Sequence, residues 1–405
     1  MNAYSYIIAV CGLIIISYLY NLLAAKTGIP AVLLLLLTGI ICREFLIQEN
    51  TGFNVPQKIV EIFGVLGLIM IILEAGLDLE VARNKITVVK NAFLSALFIF
   101  LLSALACATL LYFYLDEIFI NCLVYAIPLS VVSSAIVIPS IMHLGEDKKE
   151  FLVYETSFSD IVGILMFNYI IAGEVLKLQN IAIFIGSALF SVVLSIVLSV
   201  LMLLLLLRIN TKVRFFLVLS VLVFLYAAGK MAHLPSLFII LLFGLITANW
   251  HLPVFKKLYK WIGLAEVNDV KHMLHALTAE SSFLVRTFFF FVFGLTIDIN
   301  LLLDTEVLLA GSSIVMVLFC VRYIYLRFFL KTHIIPALFY MPRGLITVLL
   351  FYSIPETFKL SAFNEGILFF VILVTSIIMM MGSVAFREQQ AQVINDEVPL
   401  NKNHL

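Results

Sequence analysis

The chain has 405 residues, of which 63% are hydrophobic and 12% charged, with 25 Lys and Arg balanced by 25 Asp and Glu. Soluble domains run near 45–50% apolar and about 25% charged, so this balance excludes an ordinary soluble globule. The zero net charge gives no footing for nucleic acid.

What remains is an all-α polytopic membrane protein, each span needing about 20 mostly apolar residues. Thirteen spans can be traced, roughly 4–24, 29–47, 58–79, 87–114, 118–143, 151–175, 180–208, 213–231, 234–250, 272–298, 306–330, 334–354 and 363–386. The first, MNAYSYIIAVCGLIIISYLYNLL, lacks a basic leader and a small-residue cleavage site. It reads as a spanning helix rather than a signal peptide. Cys11, Cys42, Cys107, Cys122 and Cys320 are scattered through apolar runs without CxxC spacing, so they read as small buried hydrophobes.

The second span, GIPAVLLLLLTGII, returns in the ninth as HLPSLFIILLFGLI, with Pro30 matching Pro235 and Gly39 matching Gly244. The third, LEAGLDLEV, returns in the tenth as FVFGLTIDI, with Gly76 matching Gly294 and Glu80 matching Asp298. Pro128 in the fifth pairs with Pro342 in the twelfth. A step of seven spans is odd, so the two copies have opposite topology, the plan of secondary transporters. The repeats are expected at about 29–175 and 234–386, joined by a linking helix at 180–208, with the membrane domain ending at 386 and a short polar tail over 387–405.

The fifth span, AIPLSVVSSAIVIPSIM, has Pro128 and Pro139 flanking Ser133 and Ser134; the twelfth, YMPRGLITVLLFYSIP, carries Arg343 and Gly344. Proline removes a backbone donor, and unwound backbone at membrane depth is tolerated where it lines a cavity. Both segments are expected to break and cross; plain proline kinks are the alternative. Arg343 either braces a broken helix or tunes the potential of a cavity.

The sixth span, YETSFSDIVGILMFNY, places Glu155 and Asp160 inside the apolar layer, where acids are costly and mark function. At about 100° per residue, Thr156 and Asp160 share a helix face. Glu155 lies roughly 140° from Asp160 by the same geometry. Glu155 therefore needs a cation from another helix, and Arg322 in the eleventh span, VLFCVRYIYLRFF, is the best candidate. A fixed pair would be structural, because guanidinium stays charged. Asp160, with Thr156 and Ser159 beside it, is left without a permanent counter-ion, free to hold a proton or a small hard cation.

Other charges have plainer readings. Glu74, Asp78, Glu280 and Arg286 fit membrane interfaces with snorkelling side chains. His143 and His333 fit loops, and Phe288–Phe291 a packing or lipid-facing surface. Basic residues number 17 in the loops after odd-numbered spans and the tail, against 5 on the other side. That split puts the N-terminus outside and the C-terminus in the cytoplasm. The chain lacks H-E-x-x-H, G-x-S-x-G and a P-loop, so neither a metalloprotease, a serine hydrolase nor an ATP-driven pump is expected.

The spacing in ETSFSD resembles the core motif of the monovalent cation/proton antiporters, sodium/proton exchanger branch, usually E-S-x-x-N-D. Glu155, Thr156 and Asp160 fall on its acid, hydroxyl and carboxylate positions, with Ser159 where Asn is usual. Arg322 sits in a segment similar to the one that supplies the glutamate's partner, PRGLITVLLFYSIP resembles the exchangers' Arg-Gly segment, and GLDLEVARNK a segment after their third helix. Where Thr-Asp-Pro is usual, this chain has Val132-Ser133-Ser134, nearer the second antiporter branch. The resemblance spans roughly 10–385. It implies the sodium/proton antiporter fold and exchange of Na⁺ for H⁺ at the inner membrane. Asp160 would be the carrier, with Thr156, Ser159, Ser133 and Ser134 around it. It further implies a homodimer in the lipid bilayer, one bundle as scaffold and spans five, six, twelve and thirteen as a moving core, with no cofactor. K⁺ or Li⁺ as the cation, a channel, and a sodium-coupled symporter remain as alternatives.

Overall fold

The computed structural model describes residues 3–27, 29–48, 57–78, 86–141, 144–171, 186, 189–190, 193–201, 214–231, 236–249, 264–330 and 335–397. Glu80, His143, Pro235, His333, most of 180–208 and the first part of the 251–271 loop lie outside the described residues. Among the described residues all regular structure is helical. Without water in the bilayer, backbone N–H and C=O groups can be satisfied only within helices or a closed barrel.

Among the described residues fourteen α-helices have both ends in view: α1 Ala3–Thr27, α2 Ala31–Gln48, α3 Gln57–Asp78, α4 Ile86–Leu115, α5 Phe119–Ser130, α6 Ser134–Ser140, α7 Glu146–Ile171, α8 Arg214–Met231, α9 Ser236–Ala248, α10 Leu264–Thr296, α11 Ile299–Leu302, α12 Thr305–Tyr325, α13 Leu345–Tyr352 and α14 Glu365–Glu397. Among the described residues six stretches are long and apolar enough to cross a membrane: Ile7–Ala24, Ile86–Leu115, Phe119–Ser140, Lys271–Thr296, Thr305–Leu330 and Glu365–Ala385. The last helix, α14, runs on past the expected end of the membrane domain at 386, to Glu397.

The repeat is visible in the packing. α2 lies against α10, and α3 against α9. A Cβ on Gly39 would come 2.8 Å from Gly294 Cα, and one on Gly244 would come 3.0 Å from Gly76 Cα. The matches Gly39 to Gly244 and Gly294 to Gly76 carry one contact onto the other. Small residues let helix backbones approach closely where apolar burial gives helices in lipid no mutual attraction. Near one end of the first pair, Arg43 Nη2 lies 3.0 Å from Asp298 Oδ2. Asp298 also caps α11 by accepting from Asn300 N.

The fifth span breaks as expected, though not at its prolines. Pro128 lies inside α5 and Pro139 inside α6. The backbone between them is extended at Val131 and Ser133. This break meets a second one, the irregular segment 340–344 that precedes α13. Ser133 N donates to Pro342 O at 2.9 Å, so each broken strand of backbone supplies the other's missing partner. Gly344 makes the crossing possible: a Cβ there would sit 2.5 Å from Ser133 Oγ and 2.8 Å from Ile136 Cδ1.

Candidate functional site

The crossing would leave backbone carbonyls bare at the end of α5, and Arg343 covers them. Its Nε donates to Leu129 O at 2.7 Å, Nη2 to Ser130 O at 3.4 Å and Nη1 to Met341 O at 2.5 Å. Its own backbone N–H donates to Thr375 Oγ1 of α14 at 3.1 Å. Arg343 is 1% exposed, and its guanidinium donates to these three carbonyls. Of the two expected roles, the contacts are those of a brace.

α7 packs against α4, α5 and α6 beside this crossing. Glu155 is buried on one side of it. Arg322 of α12 reaches it with Nη2 2.7 Å from Oε2 and Nη1 3.3 Å from Oε1. Ser95 Oγ of α4 donates to Oε1 at 2.6 Å, and Arg322 Nε donates to Ala337 O at 2.8 Å. Both carboxylate oxygens are thus occupied, and the pair ties α4, α7, α12 and the approach to α13 together.

Asp160 faces elsewhere, as the helix rotation requires. Its Oδ2 accepts from Ser134 Oγ. Its Oδ1 is buried and has no partner. The carboxylate opens on a narrow cleft lined by Ile71, Ile72 and Ala75 of α3, Ser157, Ile161, Ile164 and Leu165 of α7, and Leu237 and Leu241 of α9. The wall opposite the carboxylate therefore comes from the glycine-packed helices.

The neighbouring hydroxyls do not all follow the helical wheel. Thr156 Oγ1 turns back to Leu152 O at 2.8 Å, the i−4 bond open to threonine in a helix. Ser159 Oγ accepts from Val132 N at 3.0 Å and so closes the broken backbone of the fifth span. Ser133 stands against Gly344 in the crossing. Of the hydroxyls expected at the site, only Ser134 touches the Asp160 carboxylate. Ser157, not among those candidates, lines the cleft.

A profile of the sodium/hydrogen exchanger transmembrane region matches residues 12–385. The chain belongs to the sodium/hydrogen exchanger family. Among solved structures, the sodium proton antiporter MjNhaP1 from Methanocaldococcus jannaschii at pH 8 superposes with a TM-score of 0.70 at 18% identity, covering 96% of this chain and all 100% of that one. A second structure of the same antiporter, from an electron-microscopy map, gives 0.67 at 17% identity with 100% of both chains covered. At that identity the likeness shows the fold. Comparison with curated protein sequences returns no match.

Within this exchanger fold a second narrow cleft adjoins the first through Ile71 and Ala75. It is lined also by Glu74, Asp78, Ser134, Ala135, Ile138 and Arg286. Arg286 Nη2 lies 3.5 Å from Glu74 Oε2, and His275 Nε2 lies 2.6 Å from Asp78 Oδ1. Sequence reading sends Glu74, Asp78 and Arg286 to the membrane surface; the structure lines a cleft with them that ends at the serine bonded to Asp160. The i, i+4 spacing of Glu74 and Asp78 on α3 was the available signal, because it places both acids on one face. The described residues include no cluster of three or more His, Cys, Asp or Glu side chains able to hold a resident metal.

Proposed function

We propose that this exchanger carries a monovalent cation, Na⁺ foremost, against H⁺ by alternating access, with Asp160 holding either in turn. One observation carries the reading. Of the two acids buried in α7, Glu155 has both oxygens occupied, while Asp160 keeps Oδ1 bare at a cleft beside the crossed broken helices. A carboxylate without a fixed cation can exchange one positive ligand for another. Broken helices at mid-membrane are where transporters of inverted-repeat design place their ion sites.

The clefts suggest the route. Glu74, Asp78 and Ser134 form a polar path ending at Asp160, and the basic-residue split puts the Asp78 end on the cytoplasmic side. α2, α3, α9 and α10 serve as the scaffold against which α5, α6, α7, α13 and α14 move. An organic-anion symporter fits less well: Arg322 and Arg343, the two buried arginines, are taken by Glu155 and by carbonyls. The protein works as a homodimer of the cell's inner membrane in this reading.

Asp160→Asn keeps the size of the side chain but can neither ionise nor take up a proton in the working range. Reconstituted in liposomes, the purified variant is expected to insert normally and to lose cation-dependent proton flux. Wild-type flux in it would overturn the assignment.

A further inference from the structure

Five hydroxyl side chains surround Asp160, and four have a place in the architecture. Thr156 bonds its own helix, Ser159 closes the Val132 backbone, Ser133 packs in the crossing, and Ser134 donates to Asp160 Oδ2. The fifth, Ser157, is 1% exposed, and its Oγ has no hydrogen-bond partner. A buried hydroxyl without a partner calls for a ligand, water or ion to account for it; among the described residues Ser103, Thr278, Ser282, Thr347 and Ser383 share that state, but of the six Ser157 is the one that lines the Asp160 cleft. Ser157 is three residues before Asp160, so both side chains lie on one face of α7. They are the two polar groups of a cleft whose other lining residues are Ile71, Ile72, Ala75, Ile161, Ile164, Leu165, Leu237 and Leu241. The second bare oxygen there is Asp160 Oδ1.

We propose that Ser157 Oγ is a ligand of the transported cation, binding it together with Asp160 Oδ1. This rests on the reading of Asp160 as the carrier. The motif resemblance gives the hydroxyl role to Thr156, whose oxygen the structure turns into its own helix; the geometry moves the role one residue on. Small monovalent cations take oxygen ligands, and a neutral hydroxyl adds one without adding charge. The serine keeps its proton throughout, so cation binding displaces only the proton on Asp160.

The test is cation-dependent proton flux in proteoliposomes, measured for Na⁺ and for Li⁺ with wild type, Ser157→Ala, Ser157→Thr and Asp160→Asn side by side. Loss of one hydrogen-bonding group to a charged ligand is worth roughly tenfold or more in affinity. Ser157→Ala is therefore expected to raise the Na⁺ KM about tenfold, to change the Na⁺ to Li⁺ ratio, and to keep kcat within about twofold at saturating cation. Ser157→Thr, which restores the hydroxyl, is expected to return KM toward wild type. An alanine variant with wild-type KM for both cations would overturn the proposal, as would equal KM defects in the alanine and threonine variants. If Ser157→Ala is not monodisperse, Ser157→Cys keeps the volume with a poorer ligand for Na⁺, and the same KM criterion applies to it. Wild-type flux in Asp160→Asn would instead overturn the reading beneath, so the two failures are separable.

Discussion

Arg322 is held by three bonds, two to Glu155 and one to Ala337 O, while Ser95 donates to Glu155 Oε1. Removing one partner of such a buried pair costs about 3–5 kcal/mol, because the other charge is left uncompensated. Glu155→Gln and Arg322→Ala are both expected to lower the melting temperature and yield more than they alter cation preference. Arg322→Ala should cost more, since it also strips the Ala337 carbonyl, whereas Glu155→Gln keeps an oxygen for Ser95. The double variant should fall short of the sum of the two. Additive losses in thermal unfolding would refute the coupling. At this scale the sequence is informative about carboxylates: five residues of helix fix the angle between Glu155 and Asp160, and that angle decides which one finds an arginine. Hydroxyls are less legible. Thr156 chooses between cleft and i−4 carbonyl by a rotation about one bond, and Ser159 finds its partner at Val132, 27 residues away. Neither choice leaves a periodic trace.

Helix packing turns on glycines whose roles the repeat alignment exposes. Gly39 meets Gly294 and Gly244 meets Gly76 at backbone contact distance, while Gly12 on α1 has nothing within 4 Å of a Cβ. Overfilling a tight contact costs about 1–3 kcal/mol. Gly39→Ala and Gly244→Ala should each lower thermal stability by this order, and their sum should be nearly additive because the contacts are separate. Gly12→Ala, inside α1 with open space for its Cβ, should not destabilise, and helix propensity favours it by about 0.5–1 kcal/mol. Unfolding in detergent checks this; a Gly39→Ala protein melting with wild type would show that α2 and α10 are not in limiting contact. The breaks were legible only in part. Prolines at 128 and 139 bracket the extended backbone without causing it, since both sit within helix. Val131–Ser133 stays unwound because Pro342 O, Ser159 Oγ and Arg343 satisfy its backbone and the end of α5. Those partners lie far along the chain, beyond the reach of local propensity.

Across the whole molecule the count of free charges sets the electrical character of transport. Glu155 is locked to Arg322, position 159 is a serine where the family motif can carry a further polar or acidic group, and Arg343 is spent on carbonyls. Glu74 and Asp78 lie in the outer cleft with Arg286 and His275 beside them. If, as proposed, Asp160 alone carries the exchanged ligand, the site is neutral with Na⁺ bound and neutral with H⁺ bound. One Na⁺ for one H⁺ moves no net charge, so the membrane potential should neither drive nor oppose the cycle. A second proton per turnover would move one charge, worth about 2.3 kcal/mol per 100 mV, and would make the rate steeply voltage-dependent. Proteoliposomes clamped at different potentials with valinomycin and K⁺ gradients distinguish the two, once K⁺ is shown not to be a substrate. The expected result is an Na⁺-driven proton flux independent of the imposed potential, with no transient current. A rate that follows the potential would require a second titrating group in the cycle. Glu74 is then the first residue to replace, because its cleft is the one that ends at Ser134 and through it at Asp160.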